Sequence, residues 1–370
     1  MKHNRILIIL FVIIIAVVPI VGIFVKPAAN EENRALAAFP KVDNVADVLS
    51  FPDEFSDWFS DHLFLKSEMV MAKSELEAKI FKEIDSEKVI LGDENYLFNK
   101  SDDGQPLETY KGINRFTDDE LIEIADNINN LKNDLASIGI DFVLVIATDK
   151  EEVLGEKYMP KSIRRVNEES IGEQFVKFME ANYPETKIVY AKDELQSEED
   201  ATYYKSDTHW NRRGAYIATN KLLTTISPEC KLLSANFNKT QSKRGDLQKM
   251  VKLGSSYDSD DPVETLPVTA MVISSITDKN NEVIHEKSIS DSENEFKIYL
   301  SGDSFRWNLT PFIQAAASET VITSRYYLDT DDIMIEEPDV FVYEIAERYI
   351  RDLDMIPGYN TAALTIKNTN

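Results

Sequence analysis

Strand-like and helix-like patterns of apolar positions alternate along most of this chain. Strands are predicted over 138–147, 187–190, 268–276, 296–301 and 339–345, and helices over 117–135, 168–182, 213–226 and from about residue 311. The run over 138–147 is almost continuously apolar, which is typical of a strand buried on both faces of a parallel sheet. Alternation of such strands with amphipathic helices indicates a three-layer α/β domain.

Four further stretches have local patterns of their own. Residues 52–81 follow a helical period, with Pro52 in the first turn, where proline is tolerated. Residues 89–98 indicate two short strands around a turn. Residues 245–253 indicate a short helix, and residues 255–261 form an acidic loop in this interpretation.

The N-terminus is basic and is followed by an uncharged apolar run. Lys2 and Arg5 precede residues 6–25; about 20 such residues span a bilayer, whereas a cleavable signal core is usually about 7–15. We expect the basic flank to stay in the cytoplasm, which sends the rest of a single-pass, membrane-anchored chain outside. Cleavage near Pro27 is the alternative. The predicted division is a membrane anchor over 1–26, a helical and linker region packing on the core over 27–100, and an α/β domain over 101–370.

The chain carries 65 acidic and 40 basic residues, which gives a formal net charge of −25. Nucleic-acid binding needs clustered lysine and arginine, and the sequence lacks such clusters, so we exclude a nucleic-acid partner. The single cysteine, Cys230, has no partner for an intramolecular disulfide. The four histidines are far apart and have no zinc-like spacing, so we expect no metal site and no cofactor.

A carboxylate and an imidazole stand two residues apart within the aromatic-flanked stretch 203–211. In an extended segment, residues i and i+2 point to the same side, so Asp207 and His209 can touch. A carboxylate in this position holds one imidazole tautomer and stabilises the imidazolium. The pair is therefore half of a nucleophilic site. A second adjacent pair, Asp61 and His62, lies in a predicted helix, where neighbours do not face each other, and we interpret His62 as structural.

The predicted nucleophile is Ser304. An apolar strand runs into Gly302 and Asp303, which sets Ser304 on a tight turn at the end of the strand. Asp303 is interpreted as turn-forming through its own backbone bonds. Asp207, His209 and Ser304 form the candidate catalytic triad, and the Ser304 N–H at a helix start is suited to stabilise an oxyanion. The alternative is a purely structural role, in which Ser304 lies in an ordinary turn and Asp207 caps a backbone segment.

An ordered series of motifs in the chain resembles a known family. The motifs are Glu32-Asn33-Arg34-Ala35-Leu36, Phe59-Ser60-Asp61-His62, the runs 89–98 and 204–210, Gly214-Ala215-Tyr216, Gly245-Asp246-Leu247, Gly302-Asp303-Ser304-Phe305 and Pro338-Asp339-Val340. Together they resemble the SGNH-hydrolase-like domain of the alginate O-acetylation proteins AlgJ and AlgX and of their Gram-positive relatives, the DHHW proteins. The resemblance implies that fold with the Asp/His block before the serine block, the reverse of ordinary SGNH enzymes. The DHHW name also implies a histidine where this chain has Thr208.

The resemblance implies an extracytoplasmic O-acetyltransferase that takes an acetyl group onto Ser304 and passes it to a cell-surface or secreted polysaccharide or polyol. It also implies a membrane-bound O-acyltransferase as donor partner and a glycan as acceptor. With water as acceptor, the same triad gives a carbohydrate esterase. A polysaccharide-binding or assembly protein without catalysis is the third interpretation.

Four further residues are candidates for substrate binding or an oxyanion site. Lys150 follows the strand 138–147, and Arg306 follows Ser304, both at the strand ends where open α/β sheets bind ligands. Tyr204 and Trp210 flank the Asp/His pair and are candidates for stacking on a sugar ring, although large aromatics beside a site are as often simply packed. The acidic chain would repel an anionic polymer unless basic residues such as Lys150, Lys205, Arg212 and Arg306 gather near the cleft. We therefore expect a local positive or neutral patch at the site within a negative surface.

Overall fold

The computed structural model describes residues 36–63 and 65–356, together with Arg5, Ile8 and Val12. The chain divides into two compact units. The first comprises Met1–Lys82 with Lys252–Gly254, and the second comprises Glu83–Val251 with Ser255–Asn370. The predicted membrane anchor over 1–26 lies outside the described residues except at Arg5, Ile8 and Val12. Among the residues that are described, no helix is both long enough and apolar enough to cross a bilayer.

The first unit contains two helices where the sequence predicted one over 52–81. They are α1 (Val45–His62) and α2 (Lys66–Leu76), and a wider turn over Glu77–Phe81 continues α2. The break occurs at Leu65, which has a left-handed φ of 60°. Helix α1 begins before Pro52 because Asp47 accepts the Asn44 N–H and Asn44 in turn accepts the Asp47 N–H.

His62 closes the last turn of α1. Its Nδ1 lies 2.8 Å from the carbonyl of Trp58, and its ring stacks on the Trp58 ring with centroids 5.1 Å apart. Both contacts are local to the helix, which agrees with the structural interpretation of His62.

The second unit contains the sheet and the remaining elements. The strands are β1 (Val89–Leu91), β2 (Leu97–Asn99), β3 (Asp141–Ala147), β4 (Lys187–Tyr190), β5 (Asn236–Lys243), β6 (Ser259–Thr265), β7 (Ala270–Thr277), β8 (Val283–Ser290), β9 (Lys297–Gly302), β10 (Glu319–Ser324) and β11 (Val340–Ala346). The helices are α3 (Pro106–Lys111), α4 (Asp118–Ser137), α5 (Lys150–Tyr158), α6 (Ile171–Asn182), α7 (Lys192–Ser197), α8 (Arg212–Ile226), α9 (Asp246–Met250), α10 (Arg306–Ala316) and α11 (Thr330–Glu336). Short 3₁₀ turns cover Asp93–Asn95, Ser255–Tyr257, Arg325–Tyr327 and Glu347–Met355.

A seven-stranded sheet in the order β4-β3-β11-β9-β10-β8-β7 forms the middle layer. Strands β4, β3, β11, β9 and β10 are parallel, and the hairpin of β7 and β8 adds antiparallel strands at one edge. Residues 142–147 of β3 are all buried, as the apolar run predicted. The prediction of an α/β domain around a parallel core is confirmed.

Helices cover both faces of the sheet. Alternate residues of β3 face opposite sides, so Phe142 and Leu144 join a core with α4 and α6. Val143 and Val145 join the core on the other face, which includes α8 and α10. Because the strands of the core are parallel, their carboxyl ends lie at the same edge of the sheet, where the candidate residues after β3 and β9 come together.

Strand β10 of the parallel core was not predicted. Other segments also differ from the sequence-based expectation. Strands β5 and β6 pair as an antiparallel hairpin that was not predicted, because β5 is mostly polar and exposed. Helix α10 begins at Arg306, earlier than predicted, and contains Pro311 in its interior; it follows a turn in which Asp303 accepts the Phe305 N–H. The hairpin of β1 and β2 falls in the second unit, whereas the sequence analysis assigned it to the region 27–100.

Candidate active site

The Asp207 and His209 side chains lie in a narrow loop. A single antiparallel bridge between Tyr203 and Trp210 closes this loop, and the Asn211 N–H donates to the Thr202 carbonyl at 2.9 Å. The Asp207 carboxylate accepts the backbone N–H of His209 at 3.0 Å. The predicted contact is thus made by a tight turn rather than by an extended strand.

The loop brings Asp207 and His209 to Ser304. Asp207 Oδ1 lies 2.6 Å from His209 Nδ1, and His209 Nε2 lies 2.8 Å from Ser304 Oγ. With the proton on Nδ1 held by Asp207, Nε2 accepts the hydroxyl proton of Ser304. This is the arrangement required for a serine nucleophile with a histidine base.

The Asp207 carboxylate remains charged in this site. Burial alone would raise its pKa, but the hydrogen bonds and charge of His209, together with the charge of Lys243, outweigh burial. The pKa of Asp207 is therefore held well below its usual range. A permanently charged Asp207 is suited to stabilise an imidazolium on His209.

Ser304 lies on a turn that is anchored from two sides. Asp303 is buried; its Oδ1 accepts the Phe305 N–H at 2.9 Å, as the turn interpretation predicted, and its Oδ2 accepts the Ala346 N–H of β11 at 2.8 Å. A Cβ at Gly302 would lie 2.4 Å from the buried carboxyl of Glu344, so a larger residue there would displace that side chain. The turn leads directly into α10, whose dipole favours negative charge at its start. Within the described part of the chain, the Ser304 N–H donates to no other group and is available to an oxyanion.

A second carboxylate, Asp246 of α9, fixes the catalytic loop. Its Oδ1 accepts the Thr208 N–H at 2.8 Å, and its Oδ2 accepts the Thr208 hydroxyl at 2.6 Å. The Asp246 N–H donates in return to Asp207 Oδ2 at 3.0 Å. A Cβ at Gly245 would lie 1.9 Å from the Ser206 carbonyl oxygen, so glycine is required for this close approach.

Asp207, His209 and Asp246 also offer ligand atoms that lie within 4.8 Å of one another, a spacing that a metal ion could use. Asp246 Oδ2 lies 3.7 Å from His209 Nδ1. Both carboxylates are already engaged in hydrogen bonds, and the same His209 nitrogen that faces them bonds to Asp207. The hydrogen bonds of the triad and its loop therefore explain why these three side chains lie close together.

Sequence comparison identifies the family to which this site belongs. A sequence model of the family described as "SGNH hydrolase-like domain, acetyltransferase AlgX" matches residues 89–325, well over half of the chain. The chain belongs to this family. The resemblance drawn from its motifs is confirmed, and the matched AlgX-type region includes all three triad residues.

A curated relative supports the same assignment at lower coverage. The "Probable alginate O-acetylase AlgJ" of Pseudomonas fluorescens is 24% identical over 250 residues. These residues are 60% of this chain and 60% of the relative, so the chain spans less than two thirds of the relative's length.

Solved structures share the fold of the AlgX-type domain. The O-acetyltransferase domain of Pseudomonas putida AlgJ has a TM-score of 0.50 at 18% identity and covers 76% of this chain and 99% of its own. Bacillus cereus PatB1 has a TM-score of 0.54 at 14% identity, covering 73% of this chain and 100% of its own. A DHHW family protein from Eubacterium siraeum DSM 15702 has a TM-score of 0.51 at 13% identity, covering 76% and 96%.

Lys150 supports the catalytic loop from the protein interior and does not face substrate. It is fully buried, and its Nζ donates to the carbonyls of Leu97 at 2.5 Å, Lys205 at 2.9 Å and Asp207 at 3.0 Å. Burial lowers the pKa of Lys150 to about 8. The predicted substrate or oxyanion contact is not supported, because all three donor positions of the ammonium are taken.

Three other candidates are buried and bond to protein groups instead of facing the cleft: Arg306, Tyr204 and Trp210. Arg306 donates to the carbonyls of Asp303 at 2.8 Å and Val283 at 2.9 Å. The Tyr204 hydroxyl donates to Asp261 at 2.6 Å, and the Trp210 indole donates to the Phe305 carbonyl at 3.0 Å. Each of the three is at most 5% exposed, so stacking of Tyr204 or Trp210 on a sugar is not supported.

The four basic residues named for the cleft are engaged with other groups of the protein. Besides buried Lys150 and Arg306, Arg212 pairs with Glu264 at 3.1 Å, and Lys205 lies over the Tyr96 ring at 5.1 Å. Lys243, at the end of the unpredicted hairpin, is a further basic side chain whose charge lowers the pKa of Asp207.

Trp307 was missed by sequence reasoning. It is 46% exposed, and its ring centroid lies 6.0 Å from that of His209. Its position in the first turn of α10, three residues after Ser304, is the signal that could have identified it, since this turn faces the same side as the nucleophile.

Proposed function

We propose that this chain is an O-acetyltransferase that carries an acetyl group on Ser304 Oγ and transfers it to a hydroxyl of a glycan. The observation that carries the proposal is the continuous relay from Asp207 through His209 to Ser304, with contacts of 2.6 and 2.8 Å. Membership of the AlgX-type family supports acetyl as the transferred group.

In the first step, Ser304 Oγ attacks the carbonyl carbon of an acetyl donor while His209 Nε2 takes the hydroxyl proton. The charge that develops on the carbonyl oxygen is stabilised at the Ser304 N–H and the start of α10. Collapse of this intermediate breaks the bond to the donor, and the leaving group takes the proton from His209. The products are acetyl-Ser304 and the deacylated donor.

In the second step, a glycan hydroxyl replaces the donor. His209 Nε2 removes its proton, the oxygen attacks the acetyl carbonyl, and the ester to Ser304 breaks as His209 returns the proton to Oγ. One ester is lost and one is formed, so no oxidant, metal or nucleotide is needed. Exposed Trp307 beside His209 offers an apolar face for the acceptor.

The donor and the location are part of the same proposal. The resemblance of the motifs suggests a membrane-bound O-acyltransferase as the source of acetyl groups, and the apolar run over 6–25 suggests an anchor that holds the domain outside the cytoplasm. Protease added to intact protoplasts should then digest the domain. Protection of the domain in intact protoplasts would contradict this location.

The activity is tested with the purified full-length chain and an activated acetyl ester. We expect mass spectrometry to detect an acetyl group on the peptide that contains Ser304, and product analysis to detect acetylated sugar when a glycan is added. The Ser304→Ala variant is the control for acetyl groups placed on other residues.

The outcome distinguishes the three interpretations of the sequence. Acetylated glycan supports transfer. Release of free acetate at an unchanged rate with and without glycan indicates an esterase, and absence of acetyl-Ser304 indicates a binding or assembly protein. The last two results both contradict the proposed function.

A further inference from the structure

A second concave site lies at the same edge of the sheet as Ser304. It encloses about 550 Å³, within the range of small-molecule sites. Asp103, Arg325, Tyr326, Tyr349 and Arg351 are prominent in its wall, and we call this site the tyrosine cleft. These residues come from the loop before α3 and from the 3₁₀ turns after β10 and β11. Neither His209 nor Ser304 lines the cleft, so it is separate from the triad.

The arginines of the tyrosine cleft are already paired with carboxylates. Arg325 contacts Asp352 at 2.8 Å, and Arg351 contacts Glu120 at 2.5 Å. Arg348, which also lines the cleft, contacts Asp149 at 2.6 Å. The positive charges are therefore neutralised locally.

The free polar groups of the cleft also lack a net positive charge. Asp103 accepts the Tyr349 hydroxyl at 2.9 Å and leaves further acceptor positions on its carboxylate. Asp102 adds another carboxylate to the wall. Such a surface of donors and acceptors suits the hydroxyl groups of an uncharged ligand, and it repels an additional anion.

One aromatic ring is exposed over this polar surface. Tyr326 is 70% exposed, and the guanidinium of Arg325 lies 4.7 Å from the centre of its ring. The same guanidinium lies 5.5 Å from the ring of Tyr349. A tyrosine ring held in place on one face leaves the other face for an apolar surface such as that of a sugar ring.

The stack continues from the cleft to the catalytic histidine. The Arg348 guanidinium lies 5.1 Å from the centre of the Tyr349 ring and 5.1 Å from the centre of the Phe305 ring. The Phe305 ring lies 4.7 Å from the His209 ring. A ligand in the tyrosine cleft is therefore carried on the same packed series of planar groups that supports the triad.

We propose that the tyrosine cleft binds an uncharged sugar unit of the acceptor glycan while a neighbouring unit presents its hydroxyl to Ser304. This inference rests on the proposed acetyl transfer, and it adds the class of acceptor: a neutral glycan rather than a polymer of uronic acids. Tyr326 is the stacking platform, and the paired arginines and Asp103 provide hydrogen bonds to hydroxyl groups.

Binding is measured on the full-length Ser304→Ala chain by calorimetry, with short neutral oligomers of glucose, galactose and N-acetylglucosamine and with oligogalacturonate of matched length. We expect at least one neutral oligomer to bind and oligogalacturonate to bind more weakly. Tyr326→Ala should weaken binding of the neutral oligomer by about tenfold, and Tyr326→Phe should retain it because the ring remains. Tyr327→Ala is the matched control, since Tyr327 is the next residue, is 53% exposed and lies outside the cleft.

Transfer assays separate this inference from the proposed function. In a chain with Ser304 intact, Tyr326→Ala should leave acetylation of Ser304 by an activated ester unchanged and lower the yield of acetylated sugar. Failure of Ser304 to become acetylated would overturn the proposed function and leave the binding result standing. Preferred binding of oligogalacturonate, binding of none of the probes, or equal losses in Tyr326→Ala and Tyr327→Ala would each overturn the assignment of the cleft.

Discussion

Two histidine–aspartate pairs lie in the second unit, and their surroundings differ. His209 contacts Asp207 at 2.6 Å, and His285 contacts Asp332 at 3.0 Å. The second nitrogen of His209 meets the hydroxyl of Ser304 at 2.8 Å. The second nitrogen of His285 is buried and meets no hydrogen-bonding group among the residues that the structure describes.

The two carboxylates are also held differently. Asp207 accepts two backbone N–H groups, from His209 and Asp246, whereas Asp332 accepts the Tyr299 hydroxyl at 2.8 Å. Backbone donors fix the carboxylate relative to the chain that carries the histidine. A histidine–aspartate contact therefore becomes a candidate catalytic pair only when a nucleophile faces its other nitrogen and the backbone fixes its geometry.

The largest expected difference between the two histidine–aspartate pairs is in how their loss affects acyl-ester turnover. Ser304→Ala and His209→Ala should each lower it by about 10³-fold or more, and the double variant should be little worse, because triad members act as a unit. His285→Gln should keep turnover within about twofold. Turnover of an activated ester, with thermal unfolding as a check on folding, measures these effects. Additive losses at Ser304 and His209 would show that they do not share a step.

Next in size is the effect of the carboxylates. Asp207→Asn should lower turnover by about 10²–10³-fold, because an amide no longer holds the required His209 tautomer or stabilises the imidazolium. Asp332→Asn is the matched change in the other pair and should leave turnover nearly unchanged. Steady-state kinetics on both variants provide the comparison, and similar losses would contradict the distinction between the pairs.

A smaller loss is expected at Asp246, which positions the loop without touching the reacting atoms. Asp246→Ala should lower kcat by about tenfold with little change in KM, because Thr208 is released and His209 loses its fixed orientation. Asp246→Asn should lose less, since its side-chain oxygen still accepts one bond. Asp260→Ala, a nearby exposed carboxylate, is the control, and an equal loss there would contradict a positioning role.

The smallest effect concerns stability at acid pH. The pKa of Asp207 is lower in the folded chain than its unfolded value of about 3.9, so the unfolded chain binds more protons below about pH 4. The free energy of unfolding should therefore fall as pH decreases through this range, and Asp207→Asn should reduce the slope. Denaturant unfolding at several pH values measures it. Ser304→Ala should keep the wild-type slope, and an unchanged slope in Asp207→Asn would refute the assigned pKa direction.

The triad and most strands of the central sheet could be predicted because their signals are local, although β10 was missed. An apolar run determines where β3 lies, and a two-residue spacing and a strand-end turn mark His209 and Ser304. The roles of Lys150, Tyr204 and Trp210 could not be predicted, because burial by distant segments decides whether a polar or aromatic side chain faces ligand or core.

The tyrosine cleft illustrates the same limit more strongly. Asp103, Arg325 and Tyr349 are far apart in sequence, and only the parallel order of the strands brings them to one edge. The hairpin of β5 and β6 escaped prediction because its first strand is polar and makes few apolar contacts. Pairing between strands, rather than any pattern within one of them, creates that element.

The ammonium of Lys150 makes the small hairpin of β1 and β2 inseparable from the catalytic loop. It binds the Leu97 carbonyl on the hairpin and the Lys205 and Asp207 carbonyls on the loop, and the Leu97 N–H donates to Lys205 at 2.8 Å. A shortened chain that starts at residue 101 would keep every triad residue and lose this clamp. The hairpin is thus part of the scaffold of the catalytic loop, and a domain boundary drawn after it would divide that scaffold.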